Sequence, residues 1–215
     1  MASSGQPSLF EDLDPPTDAL PEGMTYRSGF LSEDEEQALL ALIRTLPLEA
    51  AQYKAYTARR RVVSYGGSFD YDTNRLRPAQ GLVDELRPLR DRVAQWAGHE
   101  PEALVHALVA EYSPGTPLGW HRDVPDFEEV FGVSLGAPAT LKFRPYRPDG
   151  PGGSAPPAAA AETGASRRKD VIKVIAQPRS IYALRGPARW AWQHSVAPVE
   201  QWRWSVTFRT ARRTR

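Results

Sequence analysis

The hydrophobic rhythm of the chain changes near its middle. In the first half, Leu39, Leu42, Ile43 and Leu46 recur at the three- and four-residue spacing of one helical face. Ser32 followed three residues later by Glu35 has the form of a capping box that would start this helix. Leu82, Leu86, Leu89, Val93 and Trp96 predict a second amphipathic helix, kinked or divided at Pro88 and stopped at Gly98. Short strands are expected around Tyr26–Phe30 and over Thr57–Tyr65. From His106 onward the pattern becomes a series of short β-type runs separated by Gly and Pro: HALVAEY, GVSLG, ATLKFRPY, DVIKVIA, SIYALRG and RWSVTFRT. Such spacing predicts an antiparallel sandwich or jelly roll behind two helices, and hence an α+β chain.

Two segments fall outside this pattern. Residues 1–23 are rich in Ser, Pro and acidic groups without apolar periodicity, and read as a disordered acidic leader. Residues 147–170 are mostly Gly, Pro and Ala, which cannot supply a core, and read as a long mobile hairpin loop. The remainder, residues 24–213, is expected to form one domain, because 215 residues are too few for two of ordinary size.

Composition narrows the chemistry. With no cysteine there is no disulfide, thiolate nucleophile, zinc finger or iron–sulfur cluster, so any metal must be held by His, Asp or Glu. No apolar run is long enough to span a membrane, and no basic segment followed by an apolar one opens the chain, so a cytoplasmic monomer is expected. Residues 1–36 hold nine acidic groups against one basic, Arg27. Against a whole-chain net charge of +1, residues 37–215 therefore carry +9. A body that basic favours a polyanionic partner.

The central candidate is Gly119-Trp120-His121-Arg122-Asp123. On an extended strand alternate side chains share a face, so His121 and Asp123 could bind one ion while Arg122 points away. His194, after Trp190-Ala191-Trp192, is the best third ligand. Two imidazoles and one carboxylate leave positions open on an octahedral ion, the arrangement suited to non-haem Fe(II). On the last strand Arg203, Ser205, Thr207 and Arg209 share one face, and Trp202, Trp204, Val206 and Phe208 the other. The first face reads as a polar pocket wall, the second as core. Two guanidiniums on the polar face could grip a small dicarboxylate through planar, bidentate forks.

The ordered set Tyr112, His121-Arg122-Asp123, His194 and Arg203-x5-Arg209 resembles the AlkB family of Fe(II)- and 2-oxoglutarate-dependent dioxygenases, over roughly residues 106–209. The resemblance implies a double-stranded β-helix with N-terminal helices and a nucleotide-recognition lid, into which Thr57–Tyr71 would fall. It implies that His121, Asp123 and His194 bind iron, that Arg203 pairs with the distal carboxylate of 2-oxoglutarate, and that Arg209 helps to hold both the co-substrate and Asp123. Tyr112 and Ser205 would hydrogen-bond the co-substrate and Leu141 would pack beside it. It implies consumption of O2 and 2-oxoglutarate, release of succinate and CO2, and hydroxylation of an N-linked alkyl carbon whose hemiaminal falls apart to aldehyde and free base. DNA bases such as 1-methyladenine and 3-methylcytosine are the favoured substrates, with tRNA or other RNA, or a protein side chain or small molecule, as alternatives. Such a base must be single-stranded or flipped out and held by stacking. Arg59, Arg61, Tyr65, Phe69, Tyr71, Trp120 and Asp126 are the candidates for this contact, with Trp190 and Trp192 also in reach of the metal motif. The chain departs from the family at Ala110 and Ser205, where Asn is common, and at Pro125, where repair members often carry an acid; Asp126 is next door.

The leader carries a separate signal. Gln6-Pro7-Ser8-Leu9-Phe10 resembles the short peptides by which bacterial replication proteins dock on the sliding clamp. Retention of this chain by immobilised clamp is expected to be lost in Phe10→Ala; equal retention of parent and variant would remove the idea.

Overall fold

The computed structural model describes residues 14–15, 19–53, 56–70, 75–77, 80–147 and 171–212, with backbone only at 52–53, 56–58, 68–70 and 75–77. The leader peptide Gln6–Phe10, Tyr71, the side chain of Phe69 and nearly all of the 147–170 loop lie outside these residues. The two anticipated strands and two helices precede the chemistry with shifted limits, joined by three further short strands. Strand β1 is Met24–Arg27, and helix α1 spans Glu33–Ile43. Both halves of the capping box form, the Ser32 hydroxyl accepting from the Glu35 amide and the Glu35 carboxylate from the Ser32 amide. The second helix is divided as Pro88 requires: a 3-10 turn over Asp84–Leu86 precedes α2, Arg87–Ala97. Pro88 stands in the first turn, where its missing N–H has no helical partner to lose. Gly98 ends α2 at φ 76°, a left-handed conformation that costs glycine no Cβ clash.

The remaining elements are β2 (Glu49–Tyr53), β3 (Tyr56–Tyr65), β4 (Ser68–Asp70), β5 (Arg75–Arg77), β6 (Leu104–Tyr112), β7 (Leu118–His121), β8 (Phe127–Gly136), β9 (Ala139–Pro145), β10 (Ile172–Ala176), β11 (Ile181–Leu184), a short helix α3 (Gly186–Trp190), β12 (Trp192–Val196) and β13 (Arg203–Ala211). They form a seven-stranded sheet ordered β1-β11-β8-β13-β6-β3-β2, a four-stranded sheet ordered β10-β9-β12-β7 and a small β4-β5 pair. The two larger sheets face each other as a jelly roll, and the helices cover the outer face of the larger one. Among the described residues no helix is long and apolar enough to cross a membrane.

The larger sheet therefore has two different faces. Val109, Phe131, Val133, Leu135, Val206 and Phe208 point outward onto Leu40 and Ile43 of α1 and Leu89 and Val93 of α2, forming the main apolar core. Each such side chain, removed from water, contributes roughly 1.5–3 kcal/mol. The alternate residues point between the sheets, where Ala110, Tyr112 and Val130 meet Leu141, Phe143, Val174 and Val196 of the smaller sheet. Gly132 lies on this inner face because the Tyr182 ring crosses directly over it, and a Cβ there would fall 2.3 Å from the ring. The expected polar and apolar faces of β13 are both present, except that Trp202 precedes the strand and is 49% exposed, stacked on Trp204, instead of joining the core.

The stretch assigned by resemblance to a lid, Thr57–Tyr71, begins in β3, and Tyr71 lies outside the described residues. Residues 61–65 of β3 pair with β6, with Val62 opposite Ala110 and Val63 opposite Val109, and the start of the strand pairs with β2. They are a wall of the main sheet, because the apolar residues Val63 and Tyr65 belong to its core.

One buried acid ties helix to sheet. Glu36 is 4% exposed, accepts the Gly136 amide at 2.8 Å and pairs with Arg179 at 3.2 Å. Glu36→Ala strands both partners and is expected to cost about 2–4 kcal/mol, read as a lower urea midpoint with an unchanged slope.

Candidate active site

Strand pairing does most of the assembly. In the smaller sheet His194 of β12 lies directly opposite His121 of β7, which sets the two imidazoles side by side with ring centroids 4.2 Å apart. Asp123 is not on the strand, which ends at His121; alternation along an extended segment therefore does not place it. Its position comes from across the sandwich, where Arg209 of β13 donates to Oδ1 through both Nε (2.9 Å) and Nη2 (2.7 Å). Arg189 of α3 secures the following turn by donating to the carbonyls of Val124 and Phe127 at 2.7 and 2.8 Å. With Oδ1 occupied by Arg209, Oδ2 is left facing His194 Nε2 at 3.6 Å.

The electrostatics fix protonation states suited to metal binding. Burial would raise the Asp123 carboxyl, but Arg209, His194 and His121 hold it well below the usual range, so it is ionised. Burial lowers His121, and burial together with the neighbouring His121 lowers His194 to about 3, so both rings are neutral. His121 Nδ1 lies 2.8 Å from the Gly119 carbonyl; donating there leaves Nε2 as the lone-pair nitrogen. The three donors are gathered but do not form a ready-made cage among the described residues.

The other end of the cavity is cationic. Tyr112 and Arg203 are cross-strand neighbours in β6 and β13, 3% and 1% exposed, with the guanidinium 4.9 Å from the phenol ring. Arg203 Nε has no hydrogen-bond partner among the described residues. A guanidinium withdrawn from water with an unsatisfied donor is a site for an anion, and a planar carboxylate is the match. Ser205 and Leu141 line the cavity between this end and the metal candidates. Two of the three positions that depart from the family pattern, Ala110 and Ser205, prove to be partners across β6 and β13.

The remaining candidates divide. Trp120 and Arg59 line the cavity. Arg61 points to the opposite side of β3, donating to Glu111 and the Leu48 carbonyl, because alternation turns it away when Arg60 and Val62 face inward. Tyr65 is buried in the helix-side core, and Asp126 is exposed and does not line the cavity. Trp190 and Trp192 flank the site without lining it. Four cavity or loop residues lacked a motif to reveal them: Arg60, His106, Tyr182 and Arg189. Tyr182, whose phenol is pushed up to about 12 by burial, could have been found only from its pairing with Gly132.

The cavity enclosed by these groups measures about 1140 Å³ and reaches from the His/Asp cluster to Arg203. A family model described as the 2OG-Fe(II) oxygenase superfamily matches residues 23–214. The chain belongs to this superfamily. As a member it is a dioxygenase using Fe(II), 2-oxoglutarate and O2. It is similar to the "Alkylated DNA repair protein ALKBH8 homolog" of Arabidopsis thaliana, with 29% identity over 187 residues, 81% of this chain and 50% of that protein. The chain spans about half or less of the length of the curated relatives it matches. The fold is similar to the structure of OsALKBH1 (TM-score 0.63, 15% identity, 89% of this chain and 99% of that one). It is also similar to a Pseudomonas putida prolyl-4-hydroxylase (TM-score 0.57, 15% identity, 89% and 94%). The dioxygenase's donor set fits its cofactors: two neutral imidazoles and a carboxylate for iron, and a buried guanidinium for a carboxylate.

His121→Ala and Asp123→Ala are each expected to abolish anaerobic Fe(II) binding and 2-oxoglutarate turnover; wild-type activity from either would remove these residues from the metal site.

Proposed function

We propose that this dioxygenase removes alkyl groups from ring nitrogens of nucleobases in nucleic acid by oxidation, with DNA carrying 1-methyladenine or 3-methylcytosine as the first substrate and methylated tRNA as the second. The reading is carried by the mouth of the cavity. Trp120 and Arg122 flank His121 in sequence and both line the opening. Around them arginines and aromatics interleave: Arg144 lies 4.4 Å over Trp120, Arg122 3.6 Å over Tyr146, and Arg212 4.6 Å over Trp190. Aromatic faces for bases beside cations for phosphates are what a single strand requires. The cavity is also much larger than a five-carbon dicarboxylate and has room for a flipped base beside it.

The residues divide the work. His121, Asp123 and His194 would hold iron, which when bound supplies the oxidation driven by O2 and 2-oxoglutarate. Arg203 and Tyr112 orient the co-substrate from the far end. Arg209 keeps Asp123 ionised and aimed, so the carboxylate spends no energy on reorientation during turnover. Leu141, Val196 and Val130 form an apolar wall that limits water around the reacting carbon. Hydroxylation of an N-linked alkyl carbon gives a hemiaminal, whose collapse to aldehyde and free base needs no further catalyst.

The decisive assay measures succinate and formaldehyde from methylated single-stranded DNA and from methylated tRNA. Release of both products from the DNA is expected, and no succinate with any methylated nucleic acid would sink the proposal. Trp120→Ala should raise KM for the methylated strand about tenfold while leaving 2-oxoglutarate affinity unchanged.

A further inference from the structure

The ladder registers put three residues in one row across the inner face of the larger sheet. Arg61 lies opposite Glu111 and Val62 opposite Ala110, which brings Arg60 of β3 beside Tyr112 of β6. Tyr112 in turn lies opposite Arg203 of β13. All three line the cavity and all three are buried, Arg60 at 8% exposure. The guanidiniums of Arg60 and Arg203 both act on the Tyr112 phenol, Arg203 from 4.9 Å off its ring. Burial alone would raise this phenol, yet the two guanidinium charges pull it below its usual value.

Two guanidiniums beside one neutral phenol repel each other, and a single phenol oxygen has only two lone pairs to offer them. A carboxylate supplies a full negative charge and about four acceptor positions in a plane, and satisfies both forks. We propose that Arg60 is a second co-substrate-binding residue, which with Arg203 and Tyr112 forms a two-arginine clamp on the distal carboxylate of 2-oxoglutarate. Arg60 then belongs to the machinery that selects a dicarboxylate over a monocarboxylate, and β3 helps to form the co-substrate site as well as to wall the cavity.

The test measures binding, without turnover, in the full chain loaded with Mn(II) under argon. Each protein is titrated calorimetrically with 2-oxoglutarate and with 2-oxopentanoate, which has the same carbon chain without the distal carboxylate. The parent is expected to favour 2-oxoglutarate strongly. In Arg60→Ala that preference should shrink by about 20-fold or more, through weaker 2-oxoglutarate binding with 2-oxopentanoate unchanged, and Arg60→Lys should restore part of it. A role confined to folding or to holding β3 would weaken both ligands alike and leave the preference intact, which overturns the clamp. An unchanged preference with weaker binding of a methylated oligonucleotide also overturns it, and assigns Arg60 to the nucleic-acid substrate. Should Arg60→Ala melt below the assay temperature, Arg60→Lys and Arg60→Gln decide the matter by the same ratio.

Discussion

The site depends on a carboxylate held almost out of water. Asp123 has no strand to position it and sits where desolvation works against its charge. It is ionised because Arg209 reaches across the sandwich and gives both Nε and Nη2 to one of its oxygens. Arg209 is itself fixed: its remaining Nη1 lies 3.1 Å from Nδ1 of His106, the residue opposite it in β6, and burial lowers that imidazole to about 3. A neutral ring can accept where a protonated one could not. The guanidinium thus bridges Asp123 and His106.

This chain of contacts explains why the larger sheet has two unlike faces. The helices saturate the outer face with hydrocarbon and supply the packing that makes the sheet rigid. Rigidity lets the inner face carry charge, because Arg203, Arg209 and Asp123 cannot relax toward solvent when no ligand is bound. The same alternation along β13 that puts Trp204, Val206 and Phe208 into the core puts Arg203, Ser205, Thr207 and Arg209 into the cavity. One strand links stability to chemistry, and changes on either face will be felt by the other.

What could be read from the amino-acid order was whatever depends on neighbours along the chain. Capping at Ser32, the break at Pro88, the stop at Gly98 and the two faces of β13 are local, since each follows from backbone geometry within a few residues. His121, Asp123, His194, Arg203 and Arg209 were found by spacing and by a family pattern. What only the tertiary structure decided is which face of an ambiguous strand turns inward. In Ala58-Arg59-Arg60-Arg61 alternation offers two faces of nearly equal polarity, and pairing with β6 selects Arg60 and Val62 for the cavity while Arg61 goes to Glu111. Tyr65 looked available for stacking and instead fills the core, because its face is the one the helices cover. His106, Tyr182 and Arg189 act on residues far away in sequence, and contacts across that distance exist only once the sheets have closed on one another.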